Sequence, residues 1–334
     1  MTAIERDVLI VGAGPVGLFA AYYAGFRGLS VAIVDSLPEP GGQITALYPE
    51  KPIYDIAGFP SVRGRTLVKN LVEQAARFDP TYVLAECATQ LDRRSDGTLR
   101  VRTDVGTTFH TRSAVITAGI GTFTPRPLPA GRHFVGCGVS YFVPDLEQHR
   151  NQRVVVVGGG DSACDWALAL EPIARSVTLV HRRAAFRAHA HTVNRLARST
   201  VDVITDAQVT QVHGDSRVEQ VTVTGPGAAR TELDADAVVA ALGFTANLGP
   251  LRTWGLDLTD NRYIRVQATM QTNVPGLFAA GDITDYDGKV RLLAVGFGEA
   301  ATAVNHAAVH INPEETVFPG HSTDLPVGSA REAT

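Results

Sequence analysis

The sequence predicts an α/β chain of two Rossmann-like lobes, the second inserted into the first. Two observations carry that expectation. A short apolar run, Val8-Leu9-Ile10-Val11, leads into Gly12-Ala13-Gly14-Pro15-Val16-Gly17 and an apolar helical stretch through Ala24, and a second run, Val31-Ala32-Ile33-Val34, ends on Asp35. The layout returns 146 residues later as Val154-Val155-Val156-Val157, then Gly158-Gly159-Gly160-Asp161-Ser162-Ala163, then Val177-Thr178-Leu179-Val180 ending at His181-Arg182-Arg183. Strand, glycine loop, helix and strand in that order form a phosphate-binding βαβ pattern.

Each element has a chemical reason. Gly12 permits the tight turn, Gly14 lets a pyrophosphate approach the backbone, and Gly17 lets helix pack closely on strand. The helix N-terminus then faces the phosphates. Gly158 and Gly160 repeat the loop, with Asp161 and Ser162 opening the second helix. The plainer alternative is an ordinary α/β turn in each place, and the matching flanks argue against it. Val8 to Phe26 carries no charge, yet its glycines and Pro15 interrupt any spanning helix. Glu5 and Asp7 are the wrong flank for a signal peptide, and no A-x-A site follows. The expected location is the cytoplasm.

Composition narrows the field. The chain has 334 residues, 45% hydrophobic and 19% charged, which suits two ordinary domains and excludes a disordered chain or a small disulfide scaffold. A net charge of −4 offers no field for nucleic acid or an anionic membrane. Cys87, Cys137 and Cys164 are too far apart for a CxxC or a zinc spacing, so no metal site is expected.

The two strand tips differ in charge. Asp35 sits where a ribose hydroxyl needs an acceptor, and its carboxylate would repel a 2′-phosphate. Arg182 and Arg183, with Arg187 close behind, would bind one bidentately. The first site therefore suits FAD and the second NADPH. Residues 172–201 hold six arginines and no acid, which on composition alone would also describe a solvated basic face.

Several narrower motifs accompany the loops. They are Gly41-Gly42-Gln43, the run from Leu47-Tyr48-Pro49-Glu50-Lys51 through Phe59-Pro60, Ala280-Gly281-Asp282, and Pro319-Gly320-His321-Ser322-Thr323. With them, nearly the whole chain resembles the low-molecular-weight pyridine-nucleotide disulfide oxidoreductases, and within them the thioredoxin-reductase-like ferredoxin–NADP⁺ reductases of bacteria. The resemblance implies that Asp35 binds the adenosine ribose and that Ala88 touches adenine through its backbone. It also implies that Gln43, Tyr48, Phe123 and Thr323 line the flavin, that Asp282 accepts from the ribityl chain, and that a helix around Gly298-Glu299-Ala300 starts near the ring. Tyr48 and His321 would stack on opposite flavin faces, and the protein would be a homodimer. Taken singly, Gln43 also reads as a loop residue, Tyr48 as core, Asp282 as turn chemistry and His321 as an exposed tail residue.

The FAD motifs bracket the NADPH motifs, which gives a first FAD segment at 1–117, an NADPH domain at 118–244 and a second FAD segment at 245–334. The crossings, Thr117–Thr122 and Ala241–Thr245, are rich in small residues. Thioredoxin reductases of this build place a CxxC before the second loop, whereas here the stretch reads Val135-Gly136-Cys137-Gly138-Val139-Ser140. One cysteine cannot resolve a disulfide, and Cys87 and Cys164 read as small core residues. Electrons must then leave the flavin directly, to ferredoxin or flavodoxin. The rival readings are an NADPH diaphorase, a disulfide reductase with an external acceptor, a redox sensor without turnover and, more weakly, a flavin monooxygenase. The tail from Asn312 has little periodic structure and is expected to be the flavin cover that moves.

Overall fold

The apolar run near the start becomes the centre of a seven-stranded sheet. In a computed structural model the chain is described over residues 3–321, apart from the side chains of Thr122, Phe123 and Ala246. It divides into two units, one of Met1–Ala46, Pro52–Thr122 and Ala246–Thr334, the other of Leu47–Lys51 and Phe123–Thr245. The second unit thus lies between segments of the first in sequence.

In the first unit the sheet runs Thr81–Leu84, Val31–Asp35, Ile4–Val11, Thr108–Ile116, Leu99–Thr103, Ala88–Arg93. The first four strands are parallel and the last two antiparallel. The long strand Thr108–Ile116 has two neighbours on one side. Its first half pairs with Leu99–Thr103, and its end pairs in parallel with Leu277–Ala279. Val8, Leu9 and Ile10 are fully buried, as both-face coverage of a parallel strand requires. The helix Pro15–Phe26 follows, with Pro15 presetting its first turn. Its small buried Ala20, Ala21 and Ala24 suit close approach, and the long helix Leu293–Ile311 packs against it.

The second unit carries a parallel sheet in the order Val139–Ser140, Ala237–Ala240, Arg153–Val157, Ser176–Val180, Asp202–Ile204. An antiparallel sheet of Gln208–His213, Gln220–Thr224 and Arg230–Asp234 accompanies it. The 146-residue repeat holds at the level of register. Val8 to Val11 pair with Val31 to Val34, and Val154 to Val157 pair with Val177 to Val180. Gly12 N–H donates to Val34 O at 2.8 Å, and Gly158 N–H donates to Val180 O at 3.0 Å.

The units are bounded differently from the expected segments. Leu47–Lys51 groups with the second unit instead of the first segment, because Tyr48 packs against the core that holds Val143, Trp166 and Leu170, and Lys51 pairs with Asp165. The second unit's main segment starts at Phe123 and ends at Thr245, so the chain from Ala118 to Thr122 stays with the first unit. The crossings themselves are short strands, Thr122–Pro125 and Phe244–Asn247, paired with each other. The start of the tail is not loose either, since Arg27 holds Glu315, Thr316 and Val317 through hydrogen bonds.

Candidate nucleotide-binding sites

The first glycine loop leaves room for nothing but glycine on its protein side. A Cβ at Gly12, whose φ is +115°, would lie 2.7 Å from Thr117 O, and one at Gly17 would lie 1.9 Å from Gly12 O. Gly14, the N-cap of the first helix, faces open space and has no side-chain cap, so the orphan N–H groups of the first turn are offered to a ligand. Asp35 braces the loop. Its Oδ2 accepts from Ala13 N–H at 2.6 Å and its Oδ1 from Leu37 N–H at 2.8 Å. Burial pushes its carboxyl up and the two backbone donors pull it back. Each oxygen keeps a lone pair for a hydroxyl donor.

Other expected residues converge here. Gly41 N–H donates to Ala13 O at 2.8 Å, and a Cβ at Gly42 would stand 3.0 Å from Gly14 Cα. Gln43 opens the short helix Gln43–Leu47, with its amide nitrogen against Gly119. Ala88 is buried at the start of its strand, two residues after Glu86, whose N–H donates to Asp35 O at 3.0 Å. Asp282 follows the strand Leu277–Ala279, and Gly281 beside it lies against Val16 of the first helix. These groups meet at the carboxyl ends of three parallel strands, where open α/β sheets bind ligands. The Asp282 carboxylate accepts a hydrogen bond from no described residue. Burial pushes its pKa up, while Lys289 and Arg291 oppose that.

The final helix runs from Leu293 to Ile311, which puts Glu299 in its second turn. Glu299 is buried, its Oε1 accepting from Lys289 Nζ at 2.5 Å and Tyr286 Oη at 2.6 Å and its Oε2 from Gly281 N–H at 2.7 Å. Lys289 and Tyr286 escaped the sequence reading because they lie in an irregular loop; the charge of Lys289, one of only three lysines, was the available signal.

The second loop is built alike. A Cβ at Gly158 would lie 2.4 Å from Ala241 O, while Gly160 faces open space as an uncapped N-cap. Asp161 braces the following loop by accepting from His189 N–H at 2.8 Å, and Ser162 is exposed beside it. His181, the counterpart of Asp35, is a packing plate. It is buried, stacks on Phe186 at 5.1 Å, and leaves only a glycine's space at Gly159. Arg182, Arg183 and Arg187 are exposed, and none forms an ion pair with a described residue.

The remaining expected contacts are scattered or undescribed. Tyr48 lies with the second unit, Phe123 contributes described backbone only, and Thr323 lies outside the described residues. His321 is exposed and meets the Phe318 ring edge-on at 5.2 Å. Cys164 is core, with burial pushing its thiol up to about 11, and Cys137 is exposed. Cys87, expected in the core, is only half-buried, in the irregular stretch just before Ala88. Among the described residues no cluster of three His, Cys, Asp or Glu could hold a metal, and no helix is long and apolar enough to cross a membrane.

Comparison with known proteins agrees with this geometry. The sequence pattern of the pyridine nucleotide-disulphide oxidoreductases matches residues 6–307. The ferredoxin–NADP reductase of a Nocardioides species is 58% identical, covering 96% of this chain and 98% of that protein. That of Salinispora tropica is 59% identical, covering 96% and 99%. Among solved structures, the thioredoxin reductase of T. acidophilum superposes with a TM-score of 0.77 at 28% identity, covering 91% of this chain and 98% of that one. The Lactococcus lactis thioredoxin reductase gives 0.76 at 27%, covering 92% and 99%. The chain belongs to the pyridine nucleotide-disulphide oxidoreductase family and, within it, to the thioredoxin-reductase-like ferredoxin–NADP reductases.

Proposed function

We propose that the protein oxidises NADPH through bound FAD and passes the electrons singly to ferredoxin or to a flavodoxin-like carrier. The observation that carries this reading is the pair of glycine loops with equal register and opposite strand tips, Asp35 on one and Arg182 with Arg183 on the other. Near-full-length relatives that carry the name ferredoxin–NADP reductase support ferredoxin as the acceptor.

The residues present fit both nucleotides. Gly14 and Gly160 leave open space over uncapped helix ends, Asp35 and Asp282 have acceptor capacity to spare, and three guanidinium groups have no acidic partner among the described residues. FAD, when bound, takes a hydride and releases electrons one at a time. The chain's part is placement. Gly12, Gly14 and Gly17 seat one pyrophosphate, Asp35 and Asp282 hold hydroxyls, Gln43 and Ala88 contact the ends, and Tyr48, Phe123, His321 and Thr323 are further flavin contacts. Gly158, Gly160, Asp161 and Ser162 form the second seat, where Arg182, Arg183 and Arg187 select the 2′-phosphate. No acid–base pair is required, because hydride transfer needs only reacting atoms about 3–3.5 Å apart.

The lone exposed Cys137 supports direct exit of electrons, since no second thiol stands near it in sequence to relay them. Three free cysteines suit the cytoplasm, and the reading includes a homodimer. Steady-state assays with NADPH and ferredoxin, flavodoxin or thioredoxin test it. Reduction of a one-electron carrier but not thioredoxin is expected, and the reverse preference would overturn it. Anaerobic NADPH addition should bleach the flavin within turnover time; slow bleaching would mark a sensor.

A further inference from the structure

The turn that carries Asp282 is held by a buried charge pair. Lys289 and Glu299 have side chains 3% and 4% exposed and meet at 2.5 Å. Together they grip both peptide groups of one glycine. Glu299 Oε2 accepts from Gly281 N–H at 2.7 Å, while Lys289 Nζ donates to Gly281 O at 3.0 Å and Thr284 Oγ1 donates to the same oxygen at 2.8 Å. Tyr286 Oη closes the cluster on Glu299 Oε1 at 2.6 Å. Gly281 has φ +85°, and a Cβ there would press on Val16 at 3.3 Å, so the turn is reserved for glycine. Asp282, next in the chain, is the one member of the group whose carboxylate has no donor among the described residues.

Burying opposite charges is a poor way to gain stability, since a packed apolar pair of similar volume does as well or better. The cluster is therefore better explained by the geometry and charge it imposes. Lys289 and Arg291 are the cations that act on Asp282, and Glu299 is the anion. With Lys289 neutralised, two carboxylates would share one half-buried corner.

We propose that Lys289, Glu299 and Tyr286 are positioning residues that fix the Gly281–Asp282 turn and balance the charge behind Asp282, so that its carboxylate meets bound flavin in one pose. The inference rests on the reading of Asp282 as a flavin contact. It requires the cluster to act on the flavin's preference between oxidation states as well as on its binding. Reduced flavin carries more negative charge than oxidised flavin, so loss of the lysine cation should disfavour the reduced form.

The test compares the full-length wild type with Lys289→Met, Glu299→Gln, the double variant and Tyr286→Phe, each stripped of FAD and retitrated, with the flavin midpoint potential measured by dye equilibration. Lys289→Met should bind FAD about tenfold more weakly and lose about tenfold of its relative preference for reduced flavin. For a two-electron couple that is a shift of about −30 mV. The double variant, which has no uncompensated charge, should recover at least half of the potential shift. Tyr286→Phe, which keeps the ring and the charges, should weaken FAD about threefold. If the wild type takes up no FAD, the functional reading itself fails. If it takes up FAD and the variants match it in affinity and potential, only the positioning proposal fails. Weaker binding at an unchanged potential also overturns it, as that is the signature of simple structural support. Should Lys289→Met not fold, Tyr286→Phe decides, and unchanged FAD affinity in that variant overturns the proposal.

Discussion

Arg27 and Glu315 form a 2.7 Å ion pair in which the guanidinium is 2% exposed and the carboxylate 39%. The same guanidinium donates to Asn305 Oδ1 and to the carbonyls of Thr316 and Val317, each at 3.0 Å. The end of the first helix is thereby tied to the segment that leads to His321.

Arg27→Met should cost about 1.5–3 kcal/mol in chemical denaturation, the range for hydrogen bonds to a charged group, with the freed carboxylate able to rehydrate. Limited proteolysis should then cut within residues 312–321 sooner than in the wild type. Truncation before Pro319 leaves the clasp intact. It should preserve FAD binding while changing the stopped-flow rates of flavin reduction and delivery to the carrier, whereas Tyr48→Ala should mainly loosen FAD. Unchanged rates after truncation would make His321 an ordinary tail residue.

Replacing Arg182 and Arg183 together should lower kcat/KM for NADPH by about 100-fold or more and hardly alter that for NADH. Charge-assisted hydrogen bonds contribute roughly 1.5–3 kcal/mol each, and NADH has no 2′-phosphate to lose. Both side chains are exposed, so the fold should not suffer. Equal losses with the two cofactors would assign the arginines a structural role instead.

A variant with Cys87→Ser, Cys137→Ser and Cys164→Ala should still reduce a one-electron carrier at close to the wild-type rate. Alanine is chosen at position 164 because that thiol is buried and a serine hydroxyl there would lack a partner. Loss of carrier reduction in a folded variant would restore a thiol relay.

Asp236 accepts from Arg153, at 3.1 Å from Nε and 2.8 Å from Nη2, and this holds its carboxyl down to about 2. A folded-state value below the ordinary 3.8 means that the pair stabilises the fold fully above about pH 4 and loses that contribution as the pH falls toward 2. The side chains are 33% and 36% exposed, so solvent screening keeps the effect small. Asp236→Asn should flatten the dependence of the urea midpoint on pH below 4 relative to the wild type.

What could be read from the sequence was whatever has a period or an offset. The valine runs, the two glycine loops and the tip residues Asp35 and Arg182-Arg183 were legible because strands and turns impose spacing on them. The antiparallel sheet from Gln208 to Asp234 was not singled out, as its strands alternate with many exposed polar residues and carry no motif. Arg27 was missed for another reason. Its role comes from partners in a distant part of the chain, and only folding brings it to Val317. Tyr48 shows the opposite limit, since its motif was plain while the core it packs on was not.

The shared register gives the molecule an internal coordinate system. Each strand position from Val8 to Val11 and from Val31 to Val34 has an address in the other half, found by adding 146, and the twin strands carry the same hydrogen bonds at Gly12 and Gly158. A substitution made in one half therefore comes with its own control in the same polypeptide, under the same solvent and temperature. Trading the residues at Asp35 and His181, for example, asks whether a strand tip is interchangeable or whether each has been committed by its neighbours. A Cβ at Gly159 would lie 2.0 Å from the His181 ring, which indicates that the second tip has been committed by its neighbour.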